Sequence, residues 1–197
     1  MKVAAHRFAS AQDFIVFWNT FFQWPLIMKN ISECVADIQG RADCKLLPVR
    51  SQELNIDLSN APEDVREFFR LCGGAVLNIG EGAEIVIVSP RDFSEINRSL
   101  YPEGDVIWEE LEGDVSQEWF LIASDVGKGQ YVSIDMNDDR LGWCYDSFLE
   151  THATPGDSTV IAKSFTEFLQ NTMSSPQRFY WLCDTYVSYG DAYDNLL

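Results

Sequence analysis

The sequence predicts a mixed α and β domain organised around an antiparallel meander, and three stretches of the chain carry that expectation. Residues 119–148 read WFLIASDVGKGQYVSIDMNDDRLGWCYDSF, three short apolar-rich runs parted by two turns. Strands in sequence joined by short turns pair antiparallel. Residues 61–74 and 164–173 carry helix start and stop signals around apolar stripes of helical period. Ala75–Ile79 and Glu84–Val88 frame the turn Gly80-Glu-Gly82 as a further strand pair.

Within the meander, Trp119–Ala123 is the first strand, and Asp125-Val-Gly-Lys-Gly129 supplies two glycines for the turn. Gln130–Asp135 alternates, with Tyr131, Ser133 and Asp135 on one face and Val132 and Ile134 on the other. Gly142–Asp146 is the third strand.

Taken in order, the chain opens with FASAQDFIVFWNTFFQW at residues 8–24. Ser10 is placed to start a helix in which Phe14, Phe17, Trp18, Phe21 and Phe22 form one apolar face, and Pro25 ends it. That face is read as buried against the fold, because the helix has no basic polar side suited to a membrane surface. A second short helix is expected over 29–39, and the polar stretch 50–60, with Leu54, Ile56 and Leu58, as an extended lead-in.

In residues 61–74, Pro62 suits a first turn and Glu63 and Asp64 complement the helix dipole. Val65, Phe68, Phe69 and Cys72 line one side, and Gly73-Gly74 is expected to close the helix by a left-handed cap. Ser89-Pro90 is expected to open a short helix running to about Arg98, with Phe93 and Ile96 inward. Ser164 and Glu167 form a capping box for a helix whose stripe is Phe165, Phe168, Leu169 and Met173. Residues 178–189 are expected to be helical or mixed, and the remainder to form a short acidic tail.

Charge is the dominant global property. With 14 basic and 31 acidic residues the formal net charge is -17. Such a surface repels nucleic acid and anionic membranes and draws basic partners. No Lys or Arg occurs between Arg98 and Lys128. In that gap Trp108 stands among Glu103, Asp105, Glu109, Glu110, Glu112 and Asp114. These seven residues are the candidate partner-binding set, with Trp108 as the apolar anchor. A solvated face whose one Trp packs inward has the same composition.

Chemistry is harder to find. Asp135-x-Asn137-x-Asp139, with Asp146 at the twelfth position, imitates a calcium loop, but Arg140 stands where that loop needs glycine and the flanks are strands. No metal site and no cofactor are expected. The two histidines are His6 and His152. His152 could in principle serve Cys144 or Ser147, but there is no nucleophile elbow, and a loop histidine is ordinarily a polar surface residue. Paired carboxylates are too abundant to discriminate. No catalytic residue is assigned, and a hydrolase is the weakest alternative. The five cysteines, at 34, 44, 72, 144 and 183, form no C-x-x-C pair and fit buried free thiols in a reducing cytoplasm. No secretory signal or membrane span is found, so the expected location is cytoplasmic.

Four of these segments together resemble the SUKH superfamily, which includes cell wall assembly regulators and bacterial toxin-immunity proteins. Pro62–Cys72 with Gly73-Gly74 is similar to its P-x-x-φ-x-x-F-φ … G-G helix. Trp119–Ala123 with Asp125-x-Gly127-x-Gly129, and then Tyr131–Asp135, resemble its φ-x-I-A-x-D-x-G-G-x turn and following strand, with Lys128 where glycine is common. Gly142–Asp146 resembles its V-Y-x-φ-D/H strand, and Ile161–Leu169 its I-A-x-S-F-x-E-F-L helix, the most specific of the four.

The resemblance implies an α+β fold, a twisted mostly antiparallel sheet packed by helices. The likeness covers about 55–173, the core of what the chain length fits as a single SUKH-like domain over 1–197, with an N-terminal helical extension over 1–50 that matches nothing in the family and a C-terminal segment over 174–197. It further implies a non-enzymatic binding protein of the immunity type. Its partner would be a cognate toxin or other basic protein, with nucleic acid and membrane excluded. A regulatory scaffold that binds peptides is the alternative.

Overall fold

The computed structural model describes residues 29–50 and 57–194. The helix expected over residues 8–24, and Leu54 and Ile56 of the extended lead-in, lie outside these residues.

The described chain is an α+β fold. Helix α1 (Ile31–Gly40) leads into strand β1 (Lys45–Leu46), and α2 (Glu63–Leu71) into β2 (Ala75–Leu77) and β3 (Ile85–Ile87). Two short helices follow, α3 (Ile96–Leu100) and α4 (Ile107–Glu110), and then a 3-10 turn over Val115–Glu118. The meander comes next: β4 (Trp119–Asp125), β5 (Gln130–Asp135) and β6 (Cys144–Asp146). Strand β7 (Val160–Ala162) and helix α5 (Phe165–Ser174) come after it. The seven strands form one sheet in the order β1-β2-β3-β4-β5-β6-β7, every neighbouring pair antiparallel.

The main helices pack by their predicted stripes. Val65 and Phe68 of α2 and Phe165, Phe168 and Leu169 of α5 are fully buried. The Phe68 and Phe165 rings meet edge to face at 5.1 Å, a favoured aromatic geometry. Ser164 caps α5 by accepting from the Glu167 amide at 3.1 Å. The return arm of the box lands one residue early, because the Glu167 carboxylate accepts from the Lys163 amide. Asp64 of α2 adds a second cap, taking both the Thr166 amide and hydroxyl at 2.8 and 2.9 Å. Helix α1 carries a full capping box of its own, Asn30 with Glu33.

Two local expectations are corrected. Helix α2 ends in extended Cys72, not in a glycine cap. Gly73 and Gly74 serve close approach instead. They exchange hydrogen bonds with Leu47, and a Cβ on Gly73 would sit 2.3 Å from the Pro48 carbonyl oxygen. Helix α3 starts at Ile96, since residues 90–92 form a turn; Phe93 and Ile96 are nonetheless buried as expected.

Both faces of the sheet are covered. Trp119, Ser133 and Tyr145 share one face by the register of β4, β5 and β6, and all three are buried. Val132 and Ile134 of the other face are buried too. Residues 179–192 lie on the edge beyond β7. Tyr180 and Tyr186 donate to the Ile161 carbonyl, Val160 N–H donates to the Gly190 carbonyl, and Thr159 bridges Asp191.

Candidate interaction site

Residues 101–118 run as a chain of tight turns and short helical pieces into β4. Gly104 and Gly113 take positive φ, 82° and 76°, and permit the two reversals. The Asp105 carboxylate accepts from the Ile107 amide at 3.1 Å and starts α4. The Asp114 carboxylate accepts from the Ser116 amide at 2.8 Å and starts the 3-10 turn. Buried Leu111 pins the middle of the segment.

Of the predicted set, Glu103, Asp105, Glu109, Glu110 and Glu112 are exposed. Trp108 is half-buried, with its indole N–H donating to the Pro102 carbonyl at 2.9 Å. Asp114 is also half-buried and receives the Tyr193 hydroxyl, 3.0 Å from each carboxylate oxygen. The five exposed carboxylates thus come from one short segment of chain, from which Val106 projects at 78% exposure.

Beneath the segment lies a buried polar relay. His152 Nε2 is 2.7 Å from Asn97 Oδ1, and Asn97 Nδ2 donates to Ser116 Oγ at 3.1 Å. With the amide nitrogen so used, Oδ1 is the acceptor and the proton sits on Nε2. Nδ1 is buried without a hydrogen-bond partner. Burial pushes the His152 pKa down to about 4, against a smaller opposing pull from the Asp114 carboxylate. The surface histidine expected from sequence is therefore a core residue, 5% exposed and set edge-on to Trp119 at 5.8 Å. Its place in a loop concealed this, because the packing partners come from β4 and α3.

The nucleophile candidates are engaged elsewhere. Ser147 Oγ is 2.7 Å from Ser133 Oγ, and the Cys144 thiol faces the Gly142 carbonyl. The Asp135–Asp139 turn is closed from within. Arg140 Nε lies 3.3 Å from the Asp135 carboxylate, which also accepts from Tyr145 Oη and the Asn137 amide. Burial still lifts the Asp135 pKa, the hydrogen bonds and Arg140 only partly offsetting it. Asp146, which accepts from Gln130 Nε2, is lifted by burial to about 6. Among the described residues no group of three or more His, Cys, Asp or Glu side chains could hold a metal ion, and no helix is long and apolar enough to cross a membrane.

A second surface feature was not anticipated. An open groove of about 1270 Å³ runs between the start of α2 and the beginning of β4, with the β5–β6 turn as its far wall. Phe93 and Phe120, 5.3 Å apart, lie in it beside Met136 and Leu141. Asp57, Glu63, Glu118, Asp138 and Asp139 also line it. Its parts come from four separated stretches of chain, so no single run of sequence announces it.

Fold and motif order define a class. The SMI1 / KNR4 family (SUKH-1) matches residues 51–171, and the chain belongs to that family. Among curated proteins it is similar to Immunity protein YokJ of Bacillus subtilis (strain 168), 38% identical over 168 residues, which cover 85% of this chain and 98% of the relative. No solved structure matches significantly.

Proposed function

We propose that this chain is a non-catalytic immunity protein that binds and neutralises a cognate toxin domain. The observation that carries this reading is the likeness to an immunity protein along almost that protein's whole length. The toxin is basic and acts on nucleic acid. A net charge of -17 steers such a domain to the inhibitor. The contact surface is the segment that holds Glu103, Asp105, Trp108, Glu109, Glu110, Glu112 and Asp114. Its exposed carboxylates stand in for the phosphates the toxin would otherwise meet, and half-buried Trp108 is the anchor. The protein works as one domain over residues 1–197 in the reducing cytoplasm, where its cysteines stay free.

The test is co-expression with the toxin genes encoded beside its own. Rescue of growth and co-purification of the pair are expected. The variant Trp108→Ala with Glu109→Gln and Glu110→Gln is expected to weaken binding at least about tenfold while remaining folded. Failure to neutralise or co-purify with any neighbouring toxin would overturn the function. Full rescue and unchanged affinity in the triple variant would overturn the surface and leave the function standing.

A further inference from the structure

The groove between α2 and the β5–β6 turn carries a separate inference, independent of the segment 103–114 and of the toxin reading. We propose that it is a docking site for a Lys/Arg-rich segment of a protein partner carrying one bulky apolar anchor. Its floor and its rim have different chemistry, and both are specified by the surrounding packing.

The floor is apolar. Phe93 is 7% exposed and wedged against Phe69 at 5.8 Å, so it is a fixed base. Phe120 and Met136 are half-buried above it, and Leu141 remains 41% exposed at the wall. An unbranched thioether beside a ring accommodates side chains of varied shape.

The rim is negative on balance, with five carboxylates against the one guanidinium of Arg66. Asp57, Glu63, Glu118, Asp138 and Asp139 surround the floor, and none is in an ion pair with a described residue. The cation nearest to Asp138 and Asp139 in sequence is Arg140, which is turned inward to Asp135 and the Ala192 carbonyl at 16% side-chain exposure. The turn thus presents its two carboxylates to the groove and withdraws its guanidinium from it. Arg66 is the remaining cation of the lining, and it donates to the Ser59 carbonyl. Carboxylates on low-dielectric walls focus a negative potential on the floor between them. A complementary occupant places an apolar side chain on Phe120, Met136 and Leu141 and flanks it with cations.

The test uses the full chain and a fluorescein-labelled short peptide in which lysines and arginines flank a single tryptophan. Anisotropy is expected to report binding that weakens about tenfold when the peptide tryptophan becomes serine. It is expected to weaken by a similar factor in the variant Glu118→Gln, Asp138→Asn, Asp139→Asn, and less than about twofold in Glu150→Gln, Asp157→Asn, two exposed carboxylates outside the groove and outside the segment 103–114. Circular dichroism checks that each variant folds. In a second arm, Leu141 is replaced by the photo-crosslinking residue p-benzoylphenylalanine in the otherwise native chain, and crosslinks to the peptide are expected. No binding at millimolar peptide would overturn the proposal. So would equal losses in the two carboxylate variants, indifference to the tryptophan, or a Leu141 crosslink confined to residues 1–28 of the same chain or to a second copy. Toxin neutralisation is scored separately, so either idea can fail alone.

Discussion

His152 and Asp146 are shielded titratable groups whose protonation acts on stability in opposite directions. The folded-state pKa of His152 is about 4, below its ordinary 6.5. Between these values the unfolded chain binds a proton that the fold refuses, so this residue makes stability fall as pH drops through that window, by up to about 3 kcal/mol. Asp146 is the reverse. Its folded value of about 6 lies above its ordinary 3.8, so the fold holds a proton the unfolded chain has lost, and stability falls as pH rises between them. Urea midpoints measured from about pH 4.5 to about pH 6.5 are expected to rise less steeply with pH in His152→Gln than in the native chain. In Asp146→Asn they are expected to rise more steeply. Parallel curves for all three proteins would contradict the assignment of these pKa values to burial.

At the scale of elements, the join between α2 and β2 depends on the absence of a side chain at residue 73. A methyl group there would stand 2.3 Å from the Pro48 carbonyl oxygen, and that oxygen belongs to backbone held by the Leu47 hydrogen bonds. Gly73→Ala is therefore expected to destabilise by roughly 2–4 kcal/mol, as a drop in the denaturation midpoint. The tether of the acidic segment is equally local. Tyr193→Phe removes the hydroxyl donated to the Asp114 carboxylate and is expected to cost about 1–2 kcal/mol. Faster amide exchange at residues 111–116 would report it. Elements of this kind differ in how far sequence discloses them. The Ser164 cap and the stripes of α2 and α5 were legible because each is written within one helix. The role of Gly73-Gly74 was not, because glycine after a helix also suits a cap, and the choice was made by the backbone of Leu47 and Pro48, just past β1 and about 25 residues upstream. The groove was illegible for the same reason, and His152 was misread because burial is conferred by distant neighbours.

For the whole molecule, the excess of 31 acidic over 14 basic residues acts at a distance. Association with a basic toxin is expected to slow by at least about tenfold between 0.05 and 0.5 M salt, with dissociation changing much less, because screening weakens steering before contact. Stopped-flow measurement separates the two rates, and a salt-independent association rate would argue against charge as the guide. The same molecule protects the far side of its sheet. Residues 186–192 pair with or lie over β7, so that strand does not offer a bare row of N–H and C=O groups to another chain.

In the unbroken order from β1 to β7, each strand lies beside the one made just before it. On the ribosome, every newly emerged strand would find its template already outside the exit tunnel, and none would have to be threaded between two earlier ones. Such wiring favours prompt maturation, as the immunity role proposed above would demand, since a neutralising partner has to be ready before the hazard arrives.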